Sequence, residues 1–169
     1  MNKVFFTADT HFGDGAIIRY EKRPFENAGV MDDELISLWN QTVGGSDEVY
    51  VIGDFGTAGR EKEILSRLNG TKFLVKGNHD TQTNEYYRAA GFSEVYDRPI
   101  LYESFWILSH EPVYVNENMP YANIFGHVHA SPLFKDYSSQ HYCVSVERTG
   151  YRPIGFEAVQ KKIKESAFL

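Results

Sequence analysis

Five of the six histidines in this chain follow directly on short apolar runs, beside glycine, aspartate or asparagine. Asp9 and His11 come after Val4-Phe5-Phe6-Thr7-Ala8, and Asp54 follows Val49-Tyr50-Val51-Ile52-Gly53. Asn78, His79 and Asp80 follow Phe73-Leu74-Val75, His110 closes the run from Phe105 to Leu108, and His127 and His129 follow Asn123-Ile124-Phe125. Singly, each cluster reads as a turn or as a satisfied loop histidine. His127 and His129 stand out, because side chains two residues apart on an extended segment point to the same side. Jointly, two carboxylates, an amide oxygen and four imidazoles are ligands that divalent first-row metals take. Seven such groups exceed what one tetrahedral ion needs and suit two ions with one shared ligand. Asp54 is the natural bridge, since a carboxylate has two oxygens and an imidazole one lone pair to offer. Two ions about 3.5–4 Å apart with a hydroxide between them are the arrangement that attacks phosphate esters.

Positioning seven distant side chains requires elements that end in one place. The apolar runs are short, rich in β-formers and closed by turn residues, as buried strands are. Further strands are predicted at Pro99-Ile100-Leu101-Tyr102 and from Tyr142 to Val146. Between the first two strands Met31, Leu35, Leu38, Trp39 and Val43 recur at helical spacing, with Asp32, Asp33 and Glu34 at the front, where the helix dipole favours acids. Ile64, Leu65 and Leu68 mark a second helix, residues 83–90 a third and 161–166 a last one. Alternating strands and helices in the first half predict parallel pairing through crossovers, and the strand-rich second half predicts hairpins. The expectation is a single α/β domain over residues 1–169, with packed sheets flanked by helices. In such sheets chemistry collects at the carboxyl ends of the strands.

Composition narrows the function classes. The chain of 169 residues has 17 basic and 23 acidic side chains, a net charge of -6, against nucleic-acid binding driven by surface charge. One cysteine cannot staple a secreted scaffold. No apolar run reaches the roughly 18 residues of a membrane span, and residues 1–10 do not read as a signal peptide, so a cytoplasmic protein without membrane association is expected. A metallo-β-lactamase-type site would need H-x-H-x-D-H, whereas His127-Val128-His129 continues as Ala130-Ser131.

The ordered blocks Asp9-x-His11, Gly53-Asp54, Gly77-Asn78-His79-Asp80, His110 and Gly126-His127-x-His129 resemble the calcineurin-like metallophosphoesterase superfamily, in its small single-domain bacterial and phage form. Arg23-Pro24-Phe25 and Tyr151-Arg152-Pro153 resemble the same subgroup less specifically. The resemblance implies a four-layer α-β-β-α sandwich of two facing mixed sheets flanked by helices. It implies one ion on Asp9, His11, Asp54 and His129 and a second on Asp54, Asn78, His110 and His127. It also implies His79 as a catalytic group at the leaving oxygen or phosphoryl, oriented and charged by Asp80. Arg23 and Arg152 are candidate phosphate-binding residues, since a guanidinium can make two parallel bonds to phosphate oxygens. Two divalent cofactor ions are expected, manganese first, with iron, zinc, nickel and cobalt also suited to mixed nitrogen and oxygen ligands. The expected partner is a phosphate ester, diester ahead of monoester: a nucleotide, a cyclic diester, a nucleic acid end or a phosphoprotein. The alternative is a non-catalytic interaction scaffold on the same fold.

Overall fold

The structure is a computed structural model that describes residues 2–116, 118–132 and 139–166. Two mixed sheets face each other, with helices outside them. In the first, strands β1 (Val4–Thr7), β2 (Glu48–Ile52), β3 (Thr71–Val75) and β4 (Glu94–Tyr96) run parallel in the order β4-β3-β2-β1. Strand β9 (Ile154–Gly155) lies antiparallel on the far side of β1. The second sheet has the order β5-β6-β7-β8, formed by Ile100–Tyr102, Trp106–Ser109, Ala122–Phe125 and His141–Cys143.

Alternation along the first sheet sorts its side chains onto two cores. Phe5, Val49, Val51, Leu74 and Val95 face the helices α1 (Gly15–Tyr20), α2 (Ala28–Thr42), α3 (Glu61–Arg67) and α4 (Asn84–Ala90), in one core with Ile17, Trp39, Ile64 and Tyr87. Phe6, Tyr50, Ile52 and Val75 face the second sheet, where Trp106, Leu108, Ala122 and Ile124 meet them, and Val159 and Ile163 of α6 (Phe156–Ser166) join that core. Each fully buried side chain of this kind contributes about 1.5–3 kcal/mol. No helix among the described residues is long and apolar enough to cross a membrane.

Three local expectations are corrected. The second sheet contains one antiparallel pair, β5 with β6, whereas β6, β7 and β8 are parallel. Its crossovers, residues 110–121 and 126–140, are long connections in which only loop is seen among the described residues, so nothing helical marked them in the sequence. Helix α2 starts earlier than predicted, at Ala28, capped by Asn27, whose side chain accepts from the Val30 N–H. Asp32 therefore lies a turn inside, buried, accepting from the Gly13 N–H at 2.8 Å and pairing with Arg60 at 3.2 Å. The strand expected to reach Val146 stops at Cys143, and Val146–Thr149 form the short helix α5.

Candidate functional site

The carboxyl ends of β1, β2, β3, β6 and β7 meet on one edge of the two-sheet assembly. Loops beyond these ends stay in register: the N–H groups of Asp9, His11 and Phe12 donate to the carbonyls of Gly53, Asp54 and Phe55 at 2.9–3.0 Å. Five of the predicted site residues then take left-handed backbone, with φ of 58° at Asp9, 49° at His11, 55° at Asp54, 70° at His127 and 47° at His129. Non-glycine residues seldom adopt that conformation, and it clusters where surrounding structure holds a functional group in place. Glycine is required before His127: a Cβ on Gly126 would sit 2.5 Å from Ala8 Cβ and 2.7 Å from Asp9 Oδ2. Its absence lets the His127 N–H reach Asp9 Oδ2 at 2.9 Å.

The seven predicted ligand side chains are brought together. One nitrogen each of His11 and His129 and one Asp9 oxygen lie within 4.8 Å of one another, and so do single donor atoms of Asp9, Asp54 and His110. Asp54 Oδ2 links the groups, 3.6 Å from His11 Nε2 and 3.3 Å from His110 Nε2. His110 Nε2 and His127 Nδ1 each stand 3.0 Å from Asn78 Oδ1. Metal–ligand bonds of about 2.0–2.2 Å separate adjacent donors by roughly 3.0–3.6 Å, so this spacing suits a cation. His11 Nε2 is buried, has no hydrogen-bond partner and faces Asp54 Oδ2 at 3.6 Å, a polar atom left for a cation to satisfy. The donor set therefore fits divalent ions.

Electrostatics agree with that fit. Burial pushes the Asp9 carboxyl up to about 6, against the pull of His129, His110 and the Ser145 hydroxyl. Burial lowers His11 to about 4, so its imidazole is neutral at neutral pH. Burial also works to raise Asp54, but the hydrogen bond and charge of His110 and the His79 N–H outweigh it and hold the carboxyl at about 2. Conversely, burial works to lower His110, and the Asp54 hydrogen bond and charge carry it up to about 9.

Three predicted residues take other places. The Asp80 carboxylate turns to the backbone instead of serving His79: its two oxygens accept from the N–H groups of Asp54 at 2.7 Å, Phe55 at 3.1 Å and Gly77 at 2.8 Å. It fastens the loop after β2 to the loop after β3. Arg23 is buried and donates to Glu147 and to the carbonyls of Asp9 and Thr10, which leaves its guanidinium closed to a phosphate. Arg152 is exposed on the turn between α5 and β9 and enters the hydrogen bonding through its carbonyl, which accepts from Thr149. His79 itself is exposed at the site, its ring centre 5.3 Å from that of His11 and its N–H on Asp54 Oδ1 at 2.9 Å.

Two residues escaped the sequence reading. Glu147, its side chain only 4% exposed, accepts from Arg23 at 2.6 Å and lies 3.0 Å from His129 Nδ1, leaving Nε2 to face Asp9. Such a carboxylate behind a histidine sets its tautomer and raises its basicity as a ligand. Ser145 donates to Asp9 Oδ2 at 2.6 Å. Both follow β8, so the strand-end pattern that revealed the histidines covers them too, once the strand is ended at Cys143.

The model of the calcineurin-like phosphoesterase family matches residues 2–141. The chain is 33% identical over 175 residues to an uncharacterized protein of Methanocaldococcus jannaschii, covering 98% of this chain and 93% of that protein. It is 33% identical over 102 residues to the Gene 66 protein of Mycobacterium phage D29, covering 57% of this chain and 49% of the phage protein. The crystal structure of a protein of unknown function from Aquifex aeolicus superposes with a TM-score of 0.76 at 26% identity, covering 95% of this chain and 99% of that one.

Proposed function

This chain belongs to the calcineurin-like phosphoesterase family, and on that footing we propose that it hydrolyses phosphodiesters ahead of monoesters at a dinuclear metal centre. Asp9, His11, Asp54 and His129 would hold one ion, and Asp54, Asn78, His110 and His127 the other. The observation that carries this reading is Asp54 Oδ2, which stands between His11 Nε2 and His110 Nε2 at 3.6 and 3.3 Å. Divalent ions, manganese first in our reading, supply Lewis acidity and lower the pKa of water from 15.7 toward about 7.

The chain's own residues do the rest. His79 lies on the solvent side of the cluster, where its imidazole can give a proton to the departing alkoxide oxygen. Its loop is tied to Asp54 through its own N–H and held from behind by Asp80. Asn78, His79 and His127 are exposed, so a phosphorus at this edge has room for a second ester substituent. That openness supports diesters and a substrate such as a nucleotide or a nucleic acid end. An interaction scaffold would have no use for a buried, unpartnered imidazole nitrogen at His11 or for left-handed backbone at five donor residues.

The test is to strip the protein with chelator, restore Mn²⁺, Fe²⁺, Zn²⁺, Ni²⁺ or Co²⁺, and follow bis(p-nitrophenyl) phosphate beside p-nitrophenyl phosphate. Two ions per chain and faster turnover of the diester support the reading. A protein that takes up no metal and turns over neither ester refutes it.

A further inference from the structure

A groove of about 300 Å³ opens beside the cluster, between the loops that follow β3, β4 and β6. Its inner end is formed by Asn78 and His110, so it begins where the substrate phosphorus would sit. That volume lies at the lower edge of the range for small-molecule sites and is far more than a phosphoryl group fills. The groove can therefore take the group esterified to the phosphate.

Its walls specify that group. Pro99 and Pro112 provide flat apolar faces, and the wall carries two charges of each sign, Lys76 with Asp97 and Arg98 with Glu111. Arg98 and Glu111 are exposed and make no hydrogen bond or ion pair among the described residues; the Arg98 charge reaches only as far as helping to lower the Asp97 carboxyl, and that of Glu111 acts on His127. Neighbouring cations are engaged: Lys76 Nζ is 3.0 Å from Asp97 and 2.9 Å from the Gln82 carbonyl, and Arg88 is paired with Glu94. A guanidinium left open in a chain of net charge -6, on the wall of a groove leading from the reaction centre, matches the bidentate geometry of a phosphate.

We propose that this groove binds the alcohol half of the substrate, a nucleoside-sized group, and that Arg98 recognises a second phosphate carried by that half. Glu111 accepts from the hydroxyl or amino groups of the same moiety. The inference rests on the phosphoesterase reading and adds the substrate class to it: diesters of nucleotide type bearing a further phosphate. Arg98 is a specificity-determining residue, remote from bond making and breaking.

The experiment compares two chromogenic diesters, the p-nitrophenyl ester of thymidine 5′-phosphate and the same compound phosphorylated at the 3′ oxygen. The 3′-phosphorylated ester should show a kcat/KM about tenfold higher, mainly through KM, as one charge-assisted bidentate contact gives. Added salt should shrink that preference. Arg98→Gln should bring the ratio of the two kcat/KM values close to one, and Arg98→Lys should keep part of it, since lysine restores the charge without the fork. A wild-type ratio near one, or an unchanged ratio in Arg98→Gln, overturns the proposal. If neither ester turns over, the hydrolytic reading fails while the groove is still judged by binding. Calorimetry with thymidine 3′,5′-bisphosphate and thymidine 5′-monophosphate should then show the same preference and the same loss in Arg98→Gln, and equal affinities would refute the groove's role.

Discussion

His110 Nε2 and His127 Nδ1 face each other at 3.2 Å, across the oxygen of Asn78. Two bare lone pairs at that distance repel, so without a cation one nitrogen must carry a proton. His110 is the one that does, because Asp54 raises it to about 9 while burial and the His110 charge lower His127.

Metal uptake at pH 7.5 should accordingly displace about one proton from His110, and affinity should climb about tenfold per pH unit until pH passes 9. Stability carries the matching sign. With a folded value of about 9 above the ordinary 6.5, His110 stabilises the metal-free protein fully below pH 6.5 and loses that contribution as pH rises through 9. On the acid side, the lowered His11 costs stability between pH 6.5 and 4, and the raised Asp9 offsets part of it. Calorimetry in buffers of differing ionisation heat, with Tm followed from pH 6.5 to 9.5, checks both statements. No proton release together with a level Tm would count against the assignment.

Asp54→Asn removes the shared charge between His11 and His110. Metal content should fall for both ions together, and kcat/KM should drop by at least about a hundredfold. Elemental analysis beside a diester assay reads the two effects; loss of a single ion would refute the bridging role.

Glu147→Gln takes the charge from behind His129 and strips the buried Arg23 guanidinium of its counter-ion. Breaking such a pair costs about 3–5 kcal/mol. Affinity for the ion on the His129 side should weaken by about 10–100-fold. Thermal denaturation and metal titration of the folded fraction measure the two losses separately.

His79→Ala should leave metal content near the wild-type level and lower kcat by about a hundredfold, the lower end of general acid contributions. Metal loss in this variant would show that the exposed ring serves the ions and not the leaving group.

Asp80→Ala leaves the N–H groups of Asp54, Phe55 and Gly77 without their acceptor. At about 1–3 kcal/mol for each buried donor, the domain should lose several kcal/mol, readable as a lower denaturant midpoint. An unchanged midpoint would mean that the two loops are held together by something else.

The seven ligand candidates were legible because parallel strands deliver their carboxyl ends to one edge, and residues such as Asp9 and His129 need only follow an apolar run to arrive there. Adjacency misled at Asp80. The residue next to His79 reads as its orienting partner, yet consecutive side chains diverge, and the carboxylate turned inward to backbone donors. Arg23 read as a substrate arginine because sequence carries no information about a buried acid 124 positions away. Strands β4 and β9 passed unnoticed because neither lies in an apolar run: Glu94-Val95-Tyr96 opens on a charge and Ile154-Gly155 is only two residues long. The parallel order of β6, β7 and β8 had no helical pattern to announce it.

The left-handed turns at Asp9, His11, Asp54, His127 and His129 make the chemistry edge a stored deformation. At about 1–2 kcal/mol for each histidine, and less for the aspartates, whose short polar side chains tolerate this conformation, they together hold back several kcal/mol, a sizeable share of what a domain retains against unfolding. The two cores clamp the strand roots, so the deformation can relax only outward, through the loops themselves. Asp9, His11 and Asp54 are buried and tied to their neighbours, so before cations lock the edge it is the more exposed turn at His127 and His129 that would open first and offer a protease its earliest purchase.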